Sequence, residues 1–453
     1  MNNKHKKMWL GALMTLGTIA STALHAAVTE SEAARLGKDL TPLGGEMGAN
    51  KDGSIPAWKG GYTSVPAGYK SGEPRLDPFA AEKPLYVVTA KNMDQYSEQL
   101  SDGVKALLKK FPGYRVDVYP TQRTAAAPAW YYENTQRNAT RAKTTHKGLS
   151  IEGACGGVPF PIPKDGYEVM WNHLLSWKGE ASKMHFRSYV VNGGKAVMAG
   201  DAVNDENRPY AFKTSCGKFN GNYWELLQTT MGPPFKAGET ILLRDPIDQV
   251  DKGRQAWQYL VGQRRVRRAP TIAYDTPDSV NSGSNYFDEA FIFLGALDRF
   301  QWKLVGKKEM LIPYNNNGLW LKKTEAVLGE NHLNPDAVRW EKHRVWVVEA
   351  TLAQGNRNVI PKRRFYIDED NWVAALYDGW DAQGQLWHSG FGFSNIIFEL
   401  PGTVLQSFSI YNHLGNSYNL VAIPNGQDYH FKQVTPLPDN YFTPENLAGQ
   451  GTR

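Results

Sequence analysis

The sequence predicts a mainly β protein in which antiparallel meanders pack on a few helices, and three stretches carry that prediction. Residues 343–388 read as four consecutive strands, at 344–352, 359–367, 372–380 and 385–388, with breaks at Gln354-Gly355-Asn356, Asp368-Glu369-Asp370 and Asp381-Ala382-Gln383-Gly384. In the first of them Trp346, Val348, Ala350 and Leu352 alternate with Val345, Val347, Glu349 and Thr351, so one face is wholly apolar and needs an apolar partner. Residues 183–309 repeat the pattern with strands at 184–191, 196–203, 210–214, 224–230, 239–244, 255–266 and 300–308, punctuated by turn residues such as Asn192-Gly193-Gly194 and Asn220-Gly221-Asn222. A helix over 92–110 gathers Tyr96, Leu100, Val104, Leu107, Leu108 and Phe111 on one stripe, the form of a helix laid on a sheet.

Taken from the N-terminus, residues 1–26 carry Lys4, Lys6 and Lys7, then an apolar run from Met8 to Leu24 broken only by Gly, Ser and Thr, then Leu24-His25-Ala26. This is the pattern of a secretory signal peptide cut after Ala26, and at about 17 residues the run is short for a membrane anchor. No cysteine lies near the junction to accept a lipid, and the mature chain is expected in the periplasm of a Gram-negative cell. Residues 29–45 begin with a short capped helix. The polar stretch 50–55 is a turn and not a calcium loop, because Gly48 and Lys59 stand where the first Asp and the bidentate Glu would be required. Pro and Gly crowd 60–84, so 27–90 is expected to form an extended arm on a single domain spanning 91–453, which ends in a C-terminal extension.

The helix at 92–110 stops at Phe111-Pro112-Gly113, a strand follows at 114–119, and 135–147 is polar helix or loop. In 153–177, glycines and three prolines give a rigid entry to a helix capped by Asp165. That helix carries Tyr167, Val169, Met170, Trp171, Leu174 and Leu175 on more than one face, so it must be inserted into something. Residues 274–295 mix a polar turn with a short helix, and 398–453 add short strands and a Pro-rich end. No period of 20 to 50 residues marks a solenoid or propeller.

A chain of 453 residues with 41% hydrophobic and 12% aromatic content can bury a large core. Its net charge of +6 falls to about +3 without the leader lysines, too little to indicate a nucleic acid partner. Cys155 and Cys216 form a disulfide pair in an oxidising compartment, with a thiol nucleophile or metal pair as the sharper alternative. No G-x-S-x-G, H-E-x-x-H, phosphate loop or dinucleotide fingerprint occurs, no metal-ligand spacing links the histidines, and neither an enzyme nor a cofactor is indicated. Asp368-Glu369-Asp370 reads as a solvated hairpin turn. Arg264, Arg265, Arg267 and Arg268 surround Val266 on both faces of a strand end, which is either simply solvated or a docking patch for an anionic headgroup or acidic partner.

Longer phrases carry a family likeness: LGKDLTPLG, NKDGSIPAWKGG, GGVPFPIPKDGYEVMWNH, RRVRRAPTIAYDTP, LDRFQWKLVGKKEMLIPYN and RWEKHRVWVVEATL. They resemble a family of periplasmic proteins of unknown function described as outer-membrane lipoprotein-sorting-like, within the lipoprotein-carrier superfamily of LolA, LolB and RseB. The resemblance covers nearly the whole mature chain. It implies a large curved antiparallel sheet, an unclosed β-barrel wrapped over helices, with a hydrophobic cavity for a lipid or other hydrophobic small molecule. It also implies an exporter of the resistance-nodulation-division type as partner, with an outer-membrane partner and transient membrane contact. The expected cavity lining is Trp346, Val348, Leu352, Trp302, Leu304 and Tyr259 on the sheet and Met170, Trp171 and Leu174 on the inserted helix, with the four arginines as docking or headgroup residues. The expected function is a non-enzymatic periplasmic carrier between the two membranes. A lipid sensor of the RseB type and a periplasmic hydrolase of lipid-like substrates are the alternatives.

Overall fold

The computed structural model describes residues 27–451, so the expected signal peptide lies outside the described residues. Helix α1 (Glu30–Ala33) opens on a capping box in which the Thr29 hydroxyl accepts from the Glu32 amide and the Glu32 carboxylate accepts from the Thr29 amide. Turns and isolated bridges then lead to β1 (Tyr86–Val88), which pairs with β2 (Val116–Val118). Between these strands the expected 92–110 helix is two elements, a 3-10 turn at Met93–Gln99 and α2 (Asp102–Lys110). Ser101 divides them: its backbone is extended and its hydroxyl accepts from Val104 N–H, which starts a new helix.

The polar stretch at 135–147 is mostly the second half of α3 (Ala129–Arg141), followed by a small hairpin of β3 (Lys143–Thr145) and β4 (Ser150–Glu152). Helix α4 (Gly166–Leu174) starts as expected, with Asp165 accepting from Glu168 N–H. The first meander is β5 (Ala181–Asn192), β6 (Lys195–Asn207), β7 (Asn222–Gly232), β8 (Thr240–Pro246), β9 (Gln255–Leu260) and β10 (Arg265–Arg268). Two expectations change here. Residues 210–214 are no strand: a 3-10 turn at Pro209–Ala211 buries Tyr210, whose hydroxyl donates to Gly157. Residues 255–266 are not one strand but the β9–β10 hairpin, because the chain turns at Val261–Gln263 and Arg264 takes a left-handed conformation at φ 48°.

The second meander is β11 (Phe300–Pro313), β12 (Trp340–Leu352), β13 (Lys362–Asp368), β14 (Ala374–Trp380), β15 (Leu386–Ile397), β16 (Gly402–Asn412) and β17 (Ser417–Ile423). Short helices α5 (Asn317–Leu321) and α6 (Thr324–Val327) interrupt it, and β18 (Lys432–Gln433) and α7 (Pro444–Gly451) end the chain. Strand β15 runs nine residues past the expected end at 388, through Gly390 and Gly392. Gly392 does not break it, since a Cβ there would lie 2.6 Å from the Ala374 carbonyl oxygen and the glycine permits this close approach.

The strands form one sheet in the order β11-β12-β13-β14-β15-β16-β17-β5-β6-β7-β8-β9-β10, every neighbour antiparallel. The two meanders therefore join where β17 meets β5, and the path ends at β11 and β10 without closing. A single parallel pairing, Trp340 with Val118, attaches β2. Bulges at Leu304/Gly306, Ser188/Tyr189, Asp201/Ala202 and Phe393/Ser394 add local bend and twist.

Helix α4 and the 270–299 segment lie on the inner face: Phe293 packs on Trp302 and Phe365, and His173 accepts from Ala374 N–H. On the outer face α2 presents its N-terminal amides at 102 and 103 to the buried Asp378 carboxylate, at 2.9 and 2.8 Å. Helix α7 covers the outer face of β8 and β9, where Phe442 and Leu447 bury Leu227, Leu242 and Tyr259. Cys155 and Cys216 form a disulfide with Cα atoms 5.0 Å apart, which removes the thiol and metal alternatives for that pair.

Candidate functional site

The inner face of the first meander does not close completely on its cover. Met184 and Phe186 of β5, Trp224 and Leu226 of β7, and Ile241 and Leu243 of β8 point the same way, as alternate positions on paired strands must. Phe287, Phe291 and Leu294 face them from the 270–299 segment and Phe408 from β16. Between them lies a slot of about 720 Å³ including its mouth. Phe291 and Ile292 hold the wall with positive φ angles of 51° and 72°, costly for such residues, and Ile292 anchors it with no exposed surface.

The polar groups on the walls are unevenly placed. Arg254 holds Asp245, the β8 partner of Trp224, bidentately at 2.7 and 2.6 Å, and Asp278, on the turn that lies against Gly200 of β6, accepts from Val280 N–H and from the Asn281 and Asn285 side chains. Burial pushes the Asp278 carboxyl upward. Beside Trp224 a second recess of about 460 Å³ shares Trp224, Phe291, Leu294 and Gln406 with the first and adds Leu174, Leu175, Ser176, Lys178, Glu206 and Arg208. Arg208 donates to Glu206 at 2.6 Å and to Ser182 at 3.0 Å. Burial, reinforced by the neighbouring Arg208 charge, lowers the Lys178 ammonium to about 8.

Of the nine residues expected to line a cavity, Leu174 is on the wall of this recess. The inner face of β11 and β12 is filled by α4 instead. Val348 and Trp302 are core residues there, Trp302 donating its indole N–H to Leu297 at 2.8 Å, and Met170 and Trp171 are fully buried on the helix. Leu304 and Leu352 are half-buried beside that core, and Trp346 stacks on Trp372 with the Lys307 ammonium 4.6 Å from its ring centre. Tyr259 belongs to the outer-face cluster under α7. Arg264, Arg265, Arg267 and Arg268 are all exposed on the β9–β10 hairpin at the sheet edge, while Val266 packs toward α7. The residues that do form the slot were visible only as alternation in 224–230 and 239–244, a signal every half-buried strand gives.

The turn at Asp368-Glu369-Asp370 is not solvated: its three residues are at most 2% exposed. Arg123 grips Asp370 at 2.8 and 2.6 Å, while Lys307 and Arg344 reach Glu369 at 2.7 and 3.2 Å. His343 lies 3.5 Å from Asp368 and 3.1 Å from Glu341. Backbone from the arm closes over them, and Gly45 sits where a Cβ would be 2.7 Å from the Asp370 carboxylate. His343, Asp368 and Asp370 are near enough to hold a metal ion, but both Asp370 oxygens are engaged by Arg123 and the group reads as a buried ion cluster. One Ser–His pair, Ser389 with His413 at 2.8 Å, is also present, with Ser389 sealed beneath Gly103 of α2.

The fold thus defines a class, that of large unclosed antiparallel sheets wrapped over helices, here with an apolar slot on the inner face. The chain belongs to the family described as Protein of unknown function (DUF1329), whose model matches residues 87–448. An uncharacterized protein of Pseudomonas aeruginosa is 37% identical over 445 residues, covering 96% of this chain and 97% of its own. Two solved structures are similar in part. A DUF1329 family protein from Desulfovibrio piger matches at TM-score 0.40 and 14% identity, covering 60% of this chain and 92% of its own. A LolA superfamily protein from Nitrosomonas europaea matches at TM-score 0.36 and 10% identity, covering 62% and 98%.

Proposed function

We propose that this protein is a periplasmic carrier that shields a lipid or other hydrophobic molecule in the slot between β5–β8 and the 270–299 segment. The observation that carries this reading is the slot's wall, in which aliphatic and aromatic side chains face each other from both sides and outnumber the polar ones. A chain of about 16 carbons loses roughly 12 kcal/mol on moving from an apolar environment into water, at ~0.8 kcal/mol per methylene, and an apolar slot cancels most of that. The carrier needs a cover that can move, a role this reading gives to the 270–299 segment that faces the strands. No chemical step belongs to this reading, and Ser389, which pairs with the half-buried His413, has no exposed surface.

Delivery between inner and outer membranes, and the exporter partner implied by the family resemblance, are the finer parts of the proposal. The exposed arginine hairpin is suited to docking on anionic headgroups or an acidic protein surface. Native mass spectrometry of protein purified from its own periplasm, followed by lipid extraction, tests the reading. A bound hydrophobic ligand that passes to acceptor vesicles is expected. Ligand-free protein that also takes up no fluorescent fatty acid refutes it, and ligand-dependent affinity for one membrane protein without vesicle transfer replaces the carrier with a sensor.

A further inference from the structure

We infer that the slot takes a single-chain amphiphile with one anionic head group, bound at the Lys178–Arg208 end while its alkyl chain lies along Trp224, Leu226 and Leu243. This deepens the carrier reading and rests on it. Apart from the side-chain amides of Asn204, Gln228, Asn281 and Gln406, the polar groups around the slot are the Arg254–Asp245 pair, Asp278 and the Lys178–Arg208 recess. The first two are already satisfied: Arg254 is paired with Asp245, and Asp278 is surrounded by donors.

The cationic end is not satisfied. Glu206 is fully engaged, accepting from Arg208, from the Trp224 indole N–H at 3.1 Å and from Asn204 at 3.4 Å. Arg208 is 5% exposed, yet among the described residues its Nη1 has no hydrogen-bond partner, and the buried Ser176 hydroxyl has none either. The Lys178 ammonium has no hydrogen-bond or ion-pair partner among the described residues; it rests 5.2 Å from the Phe291 ring centre. Two cations face one carboxylate, which leaves one positive charge and three sets of unmet donors in the same recess. Buried donors in folded proteins are normally paired, and an unpaired one costs about 1–3 kcal/mol. A carboxylate or phosphate oxygen at this point supplies both the missing charge and the missing acceptors.

The test titrates the full-length mature protein with dodecanoate, dodecyl phosphate and dodecan-1-ol, reading Trp fluorescence and checking by isothermal calorimetry. At least one anionic probe is expected to bind ten-fold or more tightly than the alcohol, and the tighter of the two identifies the head group. Lys178→Met, which keeps the apolar stem, is expected to reduce that preference to within about two-fold. Its melting temperature is measured alongside, and Lys178→Gln repeats the measurement should the first variant fold poorly. Wild-type protein that binds alcohol and anions alike overturns the anionic subsite while leaving the carrier reading standing. Protein that binds none of the three overturns both, and a preference that survives in both Lys178 variants also overturns the subsite.

Discussion

Replacing Arg123 by Met removes a cation that is 7% exposed and leaves Asp370 in place without its bidentate donor. Lys307 and Arg344 do not fill the gap, since both are directed to Glu369 and Glu46. An ion pair of this kind in solvent contributes about 0–1 kcal/mol, whereas stripping one partner from a buried pair costs about 3–5 kcal/mol. Arg123 also donates to the backbone carbonyls of Glu46, Met47 and Pro56, at 2.7, 3.4 and 3.3 Å, so its loss should loosen the arm as well. Arg123→Met is therefore expected to lose about 3–5 kcal/mol in urea unfolding and to be cut faster by protease between 46 and 60. Adding Asp370→Asn should recover part of the loss, because the stranded charge is then gone. A loss of under about 1 kcal/mol with unchanged proteolysis would refute the buried cluster and restore a solvated turn.

Four other outcomes follow from the same coordinates. Gly103→Ala gains up to about 1 kcal/mol in helix propensity but puts a Cβ 2.3 Å from Ser389 Cβ, so a net loss of about 1–2 kcal/mol in urea is expected; a more stable variant would mean that α2 packs loosely. Cys155→Ser with Cys216→Ser opens a link across 61 residues, for which chain entropy predicts a loss of about 4 kcal/mol, read as a lower denaturation midpoint under non-reducing conditions. Burial, and then the Asp370 charge, hold Asp368 up at about 7 against the pull of His343; for His343, burial opposes protonation but the Glu341 hydrogen bond and the Asp368 charge raise it. Both folded values lie above the unfolded ones, so the Asp368 contribution is present at low pH and lost as pH rises from about 4 through about 7, the His343 contribution is lost only above about 6.5, and Asp368→Asn should flatten the earlier fall in a pH series of urea midpoints. Arg265→Glu should slow ligand transfer to anionic vesicles several-fold while sparing uptake, and equal rates to anionic and neutral vesicles in the wild type would remove the hairpin from docking.

The strands were legible because period-2 alternation and turn residues act locally. The face of β12 carrying Trp346, Val348 and Ala350 does meet a helix, α4, as its apolar pattern demands. Less legible was the other face, where Val345 and Val347 are equally buried because the sheet is covered on both sides. Ser101 inside an apolar stripe gave the break in the 92–110 helix no periodic signature, only a capping residue in mid-run. For the slot, alternation showed that β7 and β8 each had an inner face, but whether a face is filled or left open depends on the size of what covers it. Helix α4 lies down on β11, with Gly166 against Trp302 and the Tyr167 hydroxyl donating to Phe300, whereas the 270–299 segment stands off Leu226 and Leu243, and nothing in either strand encodes that difference.

The acidic turn was misread for a local reason. Asp368-Glu369-Asp370 lies between two strands, where local sequence says solvated turn, and nothing local marks Lys178, after a helix, or Arg208, before a proline, as buried either. Burying such groups demands partners, and the partners are remote: Arg123, Lys307 and Arg344 converge on one turn from three separate segments. The acidic turn finds Arg123, Lys307, Arg344 and His343 and becomes structure. At the Lys178–Arg208 end Arg208 is 5% exposed and Lys178 half-buried, yet a single carboxylate, Glu206, answers the two cations. Where a fold that matches one charge cluster with counter-ions leaves another short of a single anion beside an apolar slot, the missing partner is best sought outside the chain.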